Sequence, residues 1–150
     1  MKKLMLTLLS AAVALGVTTG TAKGEDKQDR ERLNKRIHEV DDTVKKQKST
    51  ETALRNISVE TGVPLTQVES MHRRYPDVGP AGVLMAAVLA DETKKQPEQF
   101  LKDHAKGKDW GSLAYDNHVA FDKLSARLER LEGTLSNATT AQHVGKTRKK

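Results

Sequence analysis

The chain has 150 residues, a formal net charge of +6 and no cysteine. This length allows one ordinary domain or two very small ones. Aromatic residues make up 3% and charged residues 31% of the chain, which predicts a modest hydrophobic core. The lack of cysteine excludes disulfide frameworks, thiolate nucleophiles, cysteine-ligated zinc and cysteine lipidation.

The first 22 residues have the pattern of a secretory signal peptide. Lys2 and Lys3 precede an apolar run over residues 4–17, and small residues follow it. The run is 14 residues long, whereas a membrane-spanning helix needs about 20. We therefore expect cleavage after Ala22 rather than an uncleaved anchor. Export would place the mature chain in the periplasm of a bacterium or outside the cell.

Positive charge is concentrated at the two ends of the mature chain. Residues 23–48 carry +2, residues 49–132 carry −2 and residues 133–150 carry +4. The central region thus lacks the basic excess that is typical of a phosphate-binding surface. The last segment is poor in large apolar residues, which predicts a disordered basic tail over residues 133–150 with at most a weak attraction to anionic surfaces.

Residues 23–48 predict a long charged amphipathic helix. Leu33, Ile37, Val40 and Val44 recur at steps of four, three and four, which places them in one apolar stripe. Two heptads are short for a coiled coil. The pattern therefore favours packing of the stripe on the core or on a partner, or weak self-association, over a tight dimer. These four residues are the candidate partner-binding positions.

A break is expected near Ser49, with Thr50 as the N-cap of the next helix. Beyond it, two segments 56 residues apart share a pattern of helix, tight turn and helix. Left-handed backbone is expected in the turns at Gly62 and His118, and Pro64 is expected at the first position of its helix. The aligned apolar positions are Leu54, Ile57, Val63, Leu65, Val68 and Tyr75 with Trp110, Leu113, Val119, Phe121, Leu124 and Leu131.

Both segments resemble a helix-turn-helix unit, in which a small residue precedes the turn and apolar positions follow it. The matching residues are Ile57, Ser58, Gly62, Val63, Val68 and Met71 in the first segment, and Leu113, Ala114, His118, Val119 and Leu124 in the second. Arg127 stands in the second segment where an apolar residue is expected. A helical corner that many sequences can encode is the more common explanation of this pattern.

Between these segments, residues 83–90 are apolar on every face, which predicts a buried central helix. Pro97 is expected to begin another helix, Gly107 to end it, and Asp109 to cap the helix that carries Trp110 as a core residue. The predicted fold is all-α: a small orthogonal helical bundle over residues 49–132 with two helix-turn-helix-like hairpins, preceded by the long charged helix.

Three strings of the central region resemble a group of small exported bacterial all-helical proteins of unknown function. They are Glu60-Thr61-Gly62-Val63-Pro64, Ala90-Asp91-Glu92-Thr93-Lys94-Lys95 and Gly107-Lys108-Asp109-Trp110-Gly111. The resemblance covers about residues 49–132. It implies a helical fold, and it brings no catalytic or binding residues.

The five histidines are scattered, and none forms a pattern that places two imidazoles on one helix face. His38 with Asp41 and Asp42 is the nearest approach to a metal-ligand group, but a solvated, charge-balanced helix explains it better. No phosphate loop or nucleophile motif occurs in the sequence. The sequence predicts no catalytic residue, metal or cofactor.

The favoured function is therefore that of an exported, non-enzymatic binding or structural protein of the bacterial envelope, acting through protein–protein contacts. One alternative is nucleic-acid binding, although residues 64–75 carry only +1 and residues 120–132 carry no net charge. A second alternative is a periplasmic chaperone-like stress protein. The Leu-Thr-x-x-Gln pattern of that group is not met, because Glu69 stands where its Gln belongs.

Overall fold

The computed structural model describes residues 22–146, and the side chains of residues 26–137. This part of the chain contains seven helices and no strand, which confirms the all-α fold. The predicted signal peptide, up to residue 21, lies outside the described residues. The helices are α1 (Ala22–Gln47), α2 (Thr50–Thr61), α3 (Leu65–Arg74), α4 (Pro80–Thr93), α5 (Pro97–Ala105), α6 (Trp110–Asp116) and α7 (Phe121–Lys146).

Helix α4 is the centre of the molecule, as its all-round apolar sequence predicts. Every residue from Pro80 to Ala90 is buried, whereas Asp91 and Glu92 are exposed. The other helices pack around it, with α5, α2 and α1 making its main contacts. Pro80 occupies the first turn, where its missing N–H leaves no hydrogen bond unmade.

Helix α1 belongs to the same core rather than forming a separate arm. It packs on α6, α7 and α4. Leu33, Ile37, Val40 and Val44 are between 0 and 4% exposed. Of the alternatives that the sequence leaves open, this placement favours packing of the stripe on the core, because the chain's own helices cover these four side chains. A charged helix with one narrow stripe gains most of its stability from such packing.

The predicted break between α1 and α2 is present, with a different capping residue. Lys48 adopts left-handed backbone with φ of 52°, and Ser49 rather than Thr50 is the N-cap of α2. The Ser49 side chain makes no capping bond and instead donates to the carbonyl of Val44 at 3.5 Å. This hydrogen bond therefore ties the start of α2 to the last turn of α1.

Both helical corners have the left-handed residue that the sequence predicts. Gly62 has φ of 72° and His118 has φ of 56°. Pro64 is the N-cap of α3 rather than its first residue. The predicted symmetry of two hairpins is incomplete, because α2 packs on α3 whereas α7 packs mainly on α1, α2 and α4. Arg127 contributes to this packing by donating to the carbonyl of Glu60 at 3.1 Å.

The expected disordered tail is wrong for residues 133–146, which continue α7. Glycine in a helix interior costs about 1 kcal/mol relative to alanine, so Gly133 weakens the helix without ending it. Two residues later Leu135 is only 2% exposed, and its burial offsets that loss. Residues 147–150 lie outside the described part of the chain.

Candidate functional site

A cleft opens where α1 crosses the N-terminal ends of α4 and α6. Its volume is about 280 Å³. The floor is apolar and is formed by Ile37, Val78, Gly82 and Trp110. The rim is polar, with Asn34, His38, Asp41, Asp42, Lys45, Asp77, His104 and Asp109.

The N-terminus of α6 is held from two directions. Asp109 is the N-cap, and its carboxylate accepts from the Ser112 backbone N–H and from the Ser112 hydroxyl, both at 2.8 Å. Asn34, on α1, donates its amide to Asp109 Oδ1 at 2.8 Å and accepts the Gly111 N–H at 2.9 Å. The predicted cap is therefore confirmed, and α1 completes it.

These donors lower the pKa of the Asp109 carboxyl. Partial burial raises the pKa of this carboxyl, but the hydrogen bonds from Asn34 and Ser112 outweigh burial and hold the pKa below its ordinary value. The carboxylate is thus stabilised in its ionised form at the end of a helix whose N–H groups also favour negative charge.

Glycine at position 111 lets α1 lie directly on the backbone of α6. A Cβ atom there would sit 2.7 Å from the Cα and Cβ of Arg30. The Arg30 guanidinium carbon lies 4.8 Å from the centroid of the Tyr115 ring, one turn further along α6. A main-chain contact of this kind fixes the distance between α1 and α6.

A side chain of α1 caps the N-terminus of α4. Its own N-cap, Gly79, has no side chain, and Asp41 Oδ1 accepts the Ala81 N–H at 2.8 Å. Burial raises the pKa of Asp41 above its ordinary value, more than the Ala81 bond and the charges of Lys45 and the nearby histidines lower it. A Cβ atom on Gly79 would overlap the Asp41 carboxyl group, so glycine is what admits this cap.

Trp110 in the floor of the cleft stacks on His104 in the rim. Trp110 is 4% exposed, which confirms it as a core residue, and its ring lies 4.4 Å from that of His104, centroid to centroid. The two planes are within 21° of parallel. His104 Nδ1 lies 2.8 Å from the Lys108 carbonyl oxygen, which fixes the imidazole against the indole.

A second hollow of about 310 Å³ continues the cleft towards the loop between α3 and α4. The two hollows share Asp77, Val78 and His104. His72 Nδ1 lies 3.2 Å from the Val78 carbonyl oxygen and so ties this loop to α3. We use "the groove" for the two hollows together. The second hollow is lined by Arg74, Tyr75, Pro76, Asp77, Val78, His104 and Ala105.

The groove is more acidic than the domain that contains it. Four carboxylates line it, those of Asp41, Asp42, Asp77 and Asp109, against the two cationic side chains of Lys45 and Arg74. Over residues 26–137 as a whole, acidic and basic residues are equal in number. The arrangement is suited to holding a positively charged group over an apolar floor.

Of the predicted partner-binding residues, only Ile37 reaches the groove, and Leu33, Val40 and Val44 lie within the core. His38, Asp41 and Asp42 do come together on the rim. Among the described residues, no group of three or more His, Cys, Asp or Glu could hold a metal ion.

Sequence reasoning missed Asn34, Asp77, Gly79 and Gly111. Their roles depend on contacts with distant residues, such as the 77 positions that separate Asn34 from Gly111. The only available signal was that Asn34 and Asp41 each lie next to a residue of the apolar stripe.

Comparison with protein-family models, curated proteins and solved structures gives no match. Within residues 22–146, no helix is long and apolar enough to cross a membrane.

Proposed function

We propose that this chain is a non-enzymatic binding protein of the bacterial envelope that contacts a partner protein through the groove beside α1. One observation carries the proposal: the groove is already formed and its walls are fixed. Asp41 holds α4 to α1, and Asn34 holds α6 to α1, by hydrogen bonds of 2.8 to 2.9 Å. A concave site that needs no rearrangement loses little entropy when a ligand binds.

The burial of the apolar stripe moves the expected contact surface from the inner face of α1 to its edge. His38 and Asp42 are both exposed there, one helical turn apart and beside the half-buried Asp41. A partner seated in the groove would touch this edge and the loop that carries Asp77. The proposal therefore keeps protein contact as the function and changes the residues that make it.

Site-specific photocrosslinking in native cells tests this function. A photoreactive phenylalanine analogue replaces His38 on the rim, and in a matched variant it replaces Asp122, an exposed residue at the start of α7 near the far end of α4. We expect a discrete crosslinked protein from position 38 and none from position 122. Absence of crosslinks at position 38, or the same products at both positions, would contradict the proposal.

Export is tested separately on the same cells. If residues 1–22 are a cleaved signal, intact-mass measurement of the purified chain gives a mature protein of 128 residues beginning at Lys23. A full-length mass, together with recovery from the cytoplasm, would contradict the envelope location without bearing on the groove.

A further inference from the structure

The shape of the groove indicates what kind of ligand it accepts. Its two hollows, of about 280 and 310 Å³, meet at Asp77, Val78 and His104. A single ion would leave most of this space empty, whereas an extended chain segment would pass from one hollow into the other. The groove is therefore matched to several consecutive residues.

The floor and the rim select different parts of such a segment. Ile37, Val78 and Trp110 offer apolar contact at the base. Lys and Arg side chains cover apolar surface with their aliphatic stems while the charged head stays at a polar edge. The apolar floor can therefore contact the aliphatic stem of a Lys or Arg side chain, and the carboxylates of the rim can pair with its charged head.

The carboxylates differ in how far the fold already uses them. Asp41 and Asp109 accept the hydrogen bonds that hold the ends of α4 and α6. Asp42 and Asp77 lie exposed on two different elements, α1 and the loop before α4. Both side chains line the groove and are available to pair with the cations of a bound segment.

We propose that the occupant of the groove is an extended, Lys- or Arg-rich segment of the partner protein, held by Asp42 and Asp77 over the apolar floor. This inference rests on the proposed binding function and adds the chemistry of the partner. It also specifies that the bound segment is positively charged, because an acidic segment would meet two more carboxylates than cations in the groove.

The test is a titration of the mature-length chain with fluorescein-labelled peptides, followed by fluorescence anisotropy. One peptide alternates arginine with alanine, and its counterpart alternates glutamate with alanine. The variant Asp42→Asn/Asp77→Asn should bind the basic peptide about tenfold more weakly than the unmodified chain, since two exposed ion pairs are lost. Raising the salt concentration should reduce that difference.

The matched control is Asp91→Asn/Asp122→Asn, which changes the net charge equally with exposed residues outside the groove. It should bind the basic peptide as the unmodified chain does. Equal weakening by the control, equal binding of the acidic peptide, or no binding of the basic peptide would each overturn the inference.

The crosslinking experiment separates this inference from the function on which it rests. If crosslinks at position 38 persist undiminished in Asp42→Asn/Asp77→Asn, the groove binds a partner that is not basic, and only the inference fails. If position 38 gives no crosslink in the unmodified chain, the proposed function itself fails. Loss of the crosslink in the double variant supports both.

Discussion

The N-terminal ends of α4 and α6 both lie under α1, yet the chain secures them differently. At α6 the cap is local, because Asp109 bonds to Ser112 three residues later and Asn34 reinforces it. At α4 the N-cap Gly79 has no side chain, and among the described residues the side-chain cap is Asp41, which lies 40 residues before the N–H that it accepts. Helix α1 thus positions two other helices: it reinforces a local cap at α6 and supplies the side-chain cap at α4.

The two carboxylates show the electrostatic consequence of this difference. Asp109 accepts several donors, and its pKa is lowered, whereas Asp41 accepts the Ala81 N–H in a more buried position, and its pKa is raised. Burial penalises the charged form of both groups, so the number of donors decides the direction. The cap from a distant helix therefore holds α4 in place, but its buried carboxylate is less well stabilised in the ionised form than that of Asp109.

The largest effect is expected where α1 touches the backbone of α6. Gly111→Ala places a Cβ atom 2.7 Å from Arg30 main-chain and Cβ atoms, which cannot move aside without moving α1. We expect a loss of about 3 kcal/mol in the free energy of unfolding, measured by urea denaturation. Gly133→Ala is the control, because no heavy atom lies within 4 Å of its Cβ position, and it should stabilise α7 by about 1 kcal/mol. A neutral result for Gly111→Ala would show that α1 does not seat on α6 as described.

Removing the bridge between α1 and α6 should have the next largest effect. Asn34→Ala deletes two hydrogen bonds and leaves the buried Gly111 N–H without its acceptor, for a loss of about 2 kcal/mol in urea denaturation. His38→Ala, an exposed change one turn further along α1, should change stability by less than about 0.5 kcal/mol. Equal effects of the two changes would mean that Asn34 contributes no specific bond.

The lowered pKa of Asp109 predicts a loss of stability in acid. A carboxyl whose folded-state pKa is depressed stabilises the fold above its unfolded pKa of about 3.9, and that contribution disappears as the pH falls through the folded-state pKa. Asp109→Asn should therefore cost about 1 kcal/mol at neutral pH, a value discounted because the side chain is largely exposed. Urea denaturation at a series of pH values should show the difference between the two proteins vanishing in strong acid. A constant difference would contradict the assignment.

The raised pKa of Asp41 predicts the smallest effect, with the opposite sign. Its neutral form is the better tolerated one in the fold, so its contribution is full below about pH 3.9 and is lost as the pH rises through the folded-state pKa. Asp41→Asn keeps an oxygen acceptor for the Ala81 N–H and removes the buried charge. We expect it to be neutral or stabilising by up to about 1 kcal/mol at neutral pH, with the advantage shrinking as the pH falls. A clear destabilisation at neutral pH would show that the charge itself holds α4.

Features that depend on neighbouring residues can be predicted from the sequence alone. The apolar period of α1, the all-round apolar run of α4, the Asp109 cap and the left-handed turns at Gly62 and His118 follow from helix periodicity and local backbone chemistry. These interactions span a few residues, so the order of the chain contains the information needed to predict them.

The packing of the folded chain establishes which helices cover the stripe, which residues line the groove and how far α7 extends. From the sequence alone, Asn34 and Asp41 look like solvated polar residues of a charged helix. In the folded chain they accept hydrogen bonds from the N–H groups of Gly111 and Ala81. The composition of residues 133–150 predicts a disordered tail, whereas in the folded chain α7 continues past Gly133 and buries Leu135. Burial and long-range capping arise from packing between helices, whose partners a one-dimensional pattern does not specify.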